Sequence, residues 1–250
     1  MTAITKVKNC FDTLYDFVID LVFPARCPAC HEVVGWNRYF CPECEKKLEY
    51  LEEAPWQALF PAKIGEEEPA FDRAEALFSY EGTAREAVLS FKYRRSRKLA
   101  AYAAERLSEK LAENETDRIS LVTSVPMHYR KRLDRGYDQA EVLARALSKE
   151  LGVRCETKLL GHRRRKRSQH ELAGKDRFSA AESTYFIRKS CEGKKDLLSG
   201  ECVLLCDDIF TTGSTANKCA KLLKELGAEK VYVAVICLRV PDTKKKSDAE

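Results

Sequence analysis

Apolar residues recur along this chain in two rhythms, and the change of rhythm divides it. Ile4, Val7, Phe11, Leu14, Val18 and Leu21 fall at helical spacing and predict an amphipathic helix over 4–22, within an N-terminal segment 1–23 that ends before Pro24. From residue 71 onward, short apolar runs alternate with helical stretches. Ala76 to Tyr80 predicts a strand, followed by helices over 84–92 and 97–113; Leu99, Tyr102, Leu107 and Leu111 share one face of the second. Ile119 to Val125 predicts the next strand, 138–151 a helix stopped by Gly152, and 153–160 a further strand. Residues 161–177 read as a polar, basic excursion, 183–188 as a strand and 189–200 as a surface connection. Strand 201–206, helix 215–226 and strand Val231 to Leu238 complete the pattern. Continuous apolar strands are buried on both faces, as in a parallel sheet. Their alternation with helices predicts an α/β domain over 71–240, a mainly parallel sheet flanked by helices. Ligands of such sheets sit at the carboxyl ends of the strands. The segment after Val125 and the loop after Cys206 are two such ends and can converge.

The part before residue 71 follows neither rhythm. Cys27-Pro28-Ala29-Cys30 and Cys41-Pro42-Glu43-Cys44 are two CxxC knuckles ten residues apart. Each turns two thiolates to one side, and two facing knuckles complete a tetrahedral four-sulfur site suited to Zn²⁺. Such a site has no open position for substrate, so its role is structural. A redox dithiol needs only one CxxC, and His31 is redundant as a ligand. The four-cysteine zinc-ribbon module spans 24–54, and with no other core for so small a unit the metal is expected to supply most of its folding free energy. Residues 45–53 read as a short charged helix. Pro55, Pro61, Gly65, the acidic run Glu66 to Glu68 and Pro69 make 55–70 a linker, and 241–250 is a charged tail.

One stretch carries most of the chemistry. Val203 to Cys206 is apolar, Asp207-Asp208 follows, and then comes the small hydroxyl-rich loop Thr211-Thr212-Gly213-Ser214-Thr215 before a helix. Backbone N–H groups left open at a helix N-terminus, with the positive end of its dipole, favour an anion such as phosphate. Gly213 lets the backbone come close, and the hydroxyls add donors. The carboxylates repel that phosphate, so they are placed to accept hydrogen bonds from adjacent sugar hydroxyls or to help hold Mg²⁺. An ordinary strand–turn–helix with a polar turn is the bland alternative.

Composition narrows the setting more than the chemistry. Hydrophobic residues make up 44% of the 250, enough for a sizeable core. The nearest approach to a membrane segment is FVIDLVF at 17–23, which holds Asp20 and falls well short of the ~20 apolar residues a span requires. No small-residue cleavage site follows it, so the chain reads as cytoplasmic with no transmembrane segment. Eleven cysteines including two CxxC pairs fit metal ligation plus buried thiols better than disulfides. A net charge of +5, from 44 basic and 39 acidic residues, decides little by itself. Its clustering into Arg94-Arg95 with Arg97-Lys98, Arg130 to Arg132 with Arg135, and Arg163 to Arg167 suits polyphosphate or nucleic acid, or a solvated surface.

The order of residues in CDDIFTTGST resembles the phosphoribosyl-diphosphate (PRPP) motif of type I phosphoribosyltransferases. With the two knuckles, VPMHYRKRLDRGYDQAEVLARAL and RSQHELAGKDRF in the same order, the whole chain resembles the ComF family, phosphoribosyltransferase-like proteins associated with DNA uptake in competent bacteria. This resemblance implies that Asp207 and Asp208 form the catalytic acid pair on the ribose hydroxyls of PRPP, carried with Mg²⁺. It implies that Thr211, Thr212, Gly213, Ser214 and Thr215 hold the 5′-phosphate. Met127, His128 and Arg130 match the pyrophosphate-contacting turn, with Arg132 beyond it, and Arg135, Gly136 and Gln139 match an RGxxQ-like element. Gln169 and Arg177 fall in 161–177, the loop that closes over PRPP in active transferases. The family commonly has Asn at the position of Asp138; a carboxylate there either lowers the local positive potential or caps the following helix as Asn does, and the cap is the favoured reading.

Two functional expectations follow. One is a protein of DNA uptake that binds Mg-PRPP and single-stranded DNA, the DNA following Arg94, Arg95, Arg163, Arg164, Arg165, Lys166 and Arg167 and stacking on Tyr93, Tyr129 or Tyr137. A competence helicase and recombination mediator proteins are its implied partners. The other is an active phosphoribosyltransferase of nucleotide salvage or related metabolism, with an acceptor that no motif identifies.

Overall fold

The structure, a computed structural model, describes residues 24–35, 38–51, 60, 63–64, 67–94, 96–113, 119–163 and 184–239. The expected helix over 4–22, most of the excursion 161–177 and the tail 241–250 lie outside these residues. Five strands form one sheet: β1 (Arg73–Ser79), β2 (Leu121–Ser124), β3 (Arg154–Cys155), β6 (Cys202–Phe210) and β7 (Lys230–Leu238). Their order is β1-β7-β6-β2-β3, and every neighbouring pair is parallel. Two further strands, β4 (Leu160–His162) and β5 (Tyr185–Ile187), pair antiparallel as a separate ribbon.

Alternation along the central strands sends side chains to two cores. Leu204, Cys206, Ala234 and Ile236 face one, beneath helices α2 (Gly82–Tyr93), α3 (Lys98–Glu113) and α5 (Gln139–Leu151). Val203, Leu205, Val231 and Val233 face the other, beneath α6 (Ser214–Glu225). Helices thus cover both faces, which is why β6 and β7 contain the apolar runs Val203–Cys206 and Val231–Leu238. The chain moves from β6 to β7 on one side and from β2 to β3 on the other. The carboxyl ends of β2 and β6 therefore bound the crevice where strand order reverses, the place where open α/β sheets bind ligands.

The zinc module does not stand apart. Cys27, Val34, Phe40, Cys41 and Leu48 belong to the same buried cluster as Phe78, Tyr102 and Leu107. Phe40 and Tyr39 meet the Tyr102 ring edge-on at 5.1 and 5.3 Å. The Tyr50 and Tyr102 hydroxyls hydrogen-bond to each other, and Lys110 Nζ donates to the Leu51 carbonyl at 2.6 Å. The premise that so small a module has no core besides its metal is therefore incomplete, because its apolar residues share the core of the larger domain.

Several elements differ from expectation. The helix expected over 45–53 is instead a single turn, α1 (Pro42–Glu45), begun by the Cys41 sulfur accepting the Cys44 N–H. Its successors Leu48 and Tyr50 are drawn into the core, Tyr50 bridging to Phe78. The strand expected over 153–160 is two strands of different sheets, parted at Glu156, whose carboxylate accepts the Lys158 N–H in a turn. An unexpected helix, α4 (Tyr129–Arg135), is capped by His128 and ended by Gly136 at φ 80°. Strand β6 runs past the acid pair to Phe210 instead of stopping at Cys206, because β7 continues beside it. The described part of the expected linker 55–70 is packed down: Phe60 is buried edge-on against Phe210 at 4.7 Å, and Asn217 accepts the Ala70 N–H at 2.6 Å.

Candidate functional site

The four knuckle cysteines converge. The sulfurs of Cys27, Cys30, Cys41 and Cys44 all lie within 4.8 Å of one another, with Cys30 and Cys41 at 3.6 Å. A tetrahedron with Zn–S bonds of about 2.3 Å has edges of about 3.8 Å, so the donor set fits zinc in both chemistry and spacing. His31 closes the first knuckle at φ 66°, a left-handed conformation that His tolerates better than branched residues. Burial disfavours the Cys27 thiolate, but N–H groups of Cys41, Cys30 and Ala29 outweigh it and bring the thiol down to about 7. Burial and the three neighbouring sulfurs push Cys44 up, a crowding that a divalent cation relieves.

The second site is built by the unequal lengths of β2 and β6. Ser124 pairs with Cys206, and the Val125 N–H still donates to the Cys206 carbonyl at 2.9 Å. Beyond that point β2 turns away at Pro126 while β6 continues, so Asp207 and Asp208 are left facing the gap. Asp208 meets Lys92, from the last turn of α2, at 3.1 Å. The Asp207 carboxylate accepts the Asp208 N–H at 2.8 Å. The gap opens into a cavity of about 190 Å³ that reaches from Lys92 to Thr215. Its opposite wall is the turn after β2, with Met127, His128, Lys131 and Arg135.

Asp138 fixes that wall. It caps α5 by accepting the Glu141 N–H at 3.2 Å, and its other oxygen accepts the Met127 N–H at 3.1 Å. One buried side chain thus joins the helix after the turn to the turn itself. Both roles need only acceptor oxygens, and the favoured reading as a helix cap holds.

At the far end, Gly213 starts α6 at φ 77° with no side chain of its own to cap the helix, and the Ser214 N–H donates only a long 3.4 Å bond to the Thr212 hydroxyl. A methyl group on Gly213 would lie 2.6 Å from Phe210 Cζ and 2.7 Å from Ile64 Cδ1. Glycine is needed for conformation and for space alike. A smaller hollow of about 30 Å³ lies against Thr211, Gly213, Thr215 and Ala216. The Thr212 and Ser214 hydroxyls bond to each other at 3.1 Å on its exposed rim.

Charge is unevenly held here. Burial, then the Asp208 charge beside it, raises Asp207 well above the usual carboxylate range, against the opposing pull of Lys92. Burial followed by His128 and Lys131 lowers His162, and among the described residues its buried Nδ1 has no hydrogen-bond partner. Burial raises Tyr185, although a hydrogen bond with Thr215 opposes this.

Among the expected residues, Met127, His128, Arg135, Gln139, Asp207, Asp208 and Thr215 come together around the larger cavity, and Thr211 and Gly213 border the smaller one. Arg130 points outward, its Nε donating to the Tyr129 hydroxyl at 3.1 Å, and Arg132 pairs with Glu141 at 3.3 Å. Gly136 ends α4. Arg94 is exposed, and the Arg163 guanidinium lies 5.6 Å over the Phe186 ring. Arg95, Arg164, Arg165, Lys166, Arg167, Gln169 and Arg177 lie outside the described residues. Lys131, from the basic run Arg130 to Arg132, lines the cavity as well, and so do Lys92, His162 and Tyr185, which no motif had pointed to. Lys92 opens the basic run that continues through Arg94, a signal that was available. His162 and Tyr185 meet only through the β4–β5 register, which no local pattern announces.

Comparison with known proteins agrees with this architecture. Residues 137–250 match the phosphoribosyl transferase domain family and residues 18–56 the double zinc ribbon domain family, although 18–56 holds four cysteines, enough for one tetrahedral zinc. Competence protein F of Haemophilus influenzae is 25% identical over 211 residues, 83% of this chain and 87% of that protein. DNA utilization protein YhgH of Escherichia coli is 25% identical over 215 residues, 84% of this chain and 89% of that protein. Competence protein ComFC of Streptococcus pneumoniae is 28% identical over 158 residues, 62% of this chain and 64% of that protein. Among solved structures, a purine phosphoribosyltransferase from Pyrococcus horikoshii aligns with a TM-score of 0.36 at 20% identity, covering 58% of this chain and 78% of that one. Sheet, switch-point crevice and four-cysteine ribbon define a type I phosphoribosyltransferase-like protein with an N-terminal zinc ribbon. Over most of its length the chain is similar to the competence and DNA utilization proteins, and it joins a zinc ribbon to a phosphoribosyl transferase domain. Among the described residues no helix is long and apolar enough to cross a membrane.

Proposed function

We propose that this protein binds PRPP, or a closely related ribose 5-phosphate ester, in the crevice between β2 and β6, and that it acts in the cytoplasm in handling DNA taken up during competence. The observation that carries the reading is the juxtaposition of three parts: the acid pair and the cationic turn after β2 line the larger cavity, which reaches α6 at Thr215, and the Gly213-led helix start borders the smaller hollow that shares Asp207 and Thr215 with it. Each suits one part of the ligand. Hydroxyls of a ribose donate to Asp207 and Asp208, a 5′-phosphate accepts from the open N–H groups of α6, and a diphosphate faces Lys131 and Arg135. Were transfer to occur, those cations would stabilise the departing pyrophosphate as positive charge develops at C1. The names of the relatives, competence protein and DNA utilization protein, support the DNA setting. Isothermal titration with PRPP and Mg²⁺ should show binding that weakens by about tenfold or more in Asp207→Asn or Asp208→Asn, given about 1.5–3 kcal/mol for each lost charge-assisted hydrogen bond. No heat of binding in the unsubstituted protein ends this reading.

A second ligand for the same surface is single-stranded DNA. It is favoured by two exposed rings beside the cavity, each paired with a cation: Tyr93 with Arg135 at 5.4 Å and Tyr129 with Arg130 at 5.9 Å. A competence helicase and a recombination mediator are the partners this reading implies. Base stacking is worth about 1–3 kcal/mol per ring, so Tyr129→Ala should weaken oligothymidine binding about tenfold in fluorescence anisotropy, with affinity falling as salt rises. Binding that ignores both the substitution and the salt argues against DNA on this face.

A further inference from the structure

We propose that Lys92 is the built-in counter-cation of the acid pair, and that it, in place of a protein-held divalent metal, sets how far ligand binding depends on Mg²⁺. Lys92 closes α2, where a cation also suits the negative end of the helix dipole. Its ammonium is 3.1 Å from Asp208 Oδ2, and the two side chains are only 15% and 14% exposed. Both line the cavity. Carboxylates on successive residues repel each other in a half-enclosed crevice, and one ammonium beside them offsets part of that repulsion.

That arrangement fits Mg²⁺ poorly. The ion demands six oxygens at about 2.0–2.1 Å in near-octahedral geometry. Asp138 lines the same cavity, but its two oxygens already accept the Met127 and Glu141 N–H groups, and among the described residues the one close cluster of three or more metal-binding side chains is the four cysteines. A metal taking Asp208 Oδ2 would also displace Lys92 and strand its charge in the crevice. The ion therefore enters on a diphosphate, if at all, and a ligand without a diphosphate binds without it. Lys92 remains as a fixed positive charge that offsets the repulsion between the acid pair and any phosphate group.

The metal half of this inference stands apart from the ligand reading; the ligand half rests on it. The zinc-loaded protein is titrated with Mn²⁺, followed by electron paramagnetic resonance. The unsubstituted chain and Lys92→Arg are expected to show no site dependent on Asp208. Lys92→Met should gain one, with Mn²⁺ affinity at least about tenfold tighter, because the ammonium no longer competes for the carboxylate. In parallel, ribose 5-phosphate should bind the unsubstituted chain equally with Mg²⁺ and in chelator-free buffer lacking Mg²⁺, while Lys92→Met loses about tenfold without Mg²⁺ and recovers part of it with Mg²⁺. Lys92→Gln carries both titrations if Lys92→Met is not recovered folded. An unsubstituted chain that already binds Mn²⁺ as tightly as Lys92→Met, through Asp208, overturns the proposal. If ribose 5-phosphate binds no form of the protein, the ligand reading falls, and the Mn²⁺ titration still decides the role of Lys92.

Discussion

Cys41→Ser should melt the whole chain about 10 °C or more below the unsubstituted protein in a single calorimetric transition, and should not merely release a small module. The reason lies in where the zinc ribbon puts its apolar residues. Phe40 is 1% exposed and Leu48 8%, and both belong to the cluster that holds Phe78, Tyr102 and Leu107 of the sheet domain. Cys41 is itself in that cluster and starts α1 through its sulfur. Without the fourth thiolate the knuckles lose their common centre, and the segment 38–51 loses the geometry that presses Phe40 onto Tyr102. Stripping one large side chain from a core costs about 2–5 kcal/mol. For a chain of this size each kcal/mol corresponds to about 2–4 °C. Zinc content measured on the same samples separates metal loss from simple misfolding. Two transitions with the larger one unmoved would show that ribbon and sheet domain fold independently and would refute the shared core.

Two kinds of signal made much of this molecule legible beforehand. The stretches Val203–Cys206 of β6 and Val231–Leu238 of β7 are buried on both faces, so they appear as unbroken apolar runs, and α3 and α5 each keep a periodic apolar face. The knuckles were legible because four thiolates at that spacing have few other uses. What escaped notice is held by contacts rather than by patterns. Helix α4 buries none of its residues, so it leaves no apolar period; only its cap at His128 and its stop at Gly136 define it. The ribbon β4–β5 pairs Leu160 with Ile187 across a long intervening segment. Phe60 and Ile64 stand among prolines, glycine and glutamates that compose a linker, yet Phe60 is buried on Phe210 and Ile64 lies under the loop that begins α6. The acid pair was legible as chemistry, but its exposure to the crevice was not. It arises because β2 ends opposite Cys206 while β7 accompanies β6 onward, and that depends on a neighbour's length.

Gly213→Ala concentrates the second large effect, because one methyl group meets two constraints at once. The residue sits at φ 77°, where any side chain other than hydrogen costs about 1–2 kcal/mol. The added carbon would also lie 2.6 Å from Phe210 Cζ and 2.7 Å from Ile64 Cδ1. The Ile64 methyl ends a partly exposed side chain, but the Phe210 ring cannot yield easily. Phe210 is 3% exposed and held edge-on between Phe60 at 4.7 Å and Phe71 at 5.9 Å, and overpacking of this kind costs about 1–3 kcal/mol more. The chain has a cheaper escape than shifting the aromatic cluster, which is to lift the loop Thr211–Ser214 away from it. That would move the first N–H groups of α6 off the small hollow and misalign the anion site without unfolding the sheet. The expected result is therefore a loss of about 2–5 kcal/mol in urea-induced unfolding, together with loss of inorganic phosphate binding at concentrations that saturate the unsubstituted protein. A paired variant divides the two constraints. Ile64→Ala removes one of the colliding groups, so Gly213→Ala in that background should regain part of the stability while the φ penalty remains. If Gly213→Ala alone proves as stable as the unsubstituted chain and still binds phosphate, the loop is not braced from below, and Phe60, Ile64 and Phe210 have no part in shaping the site.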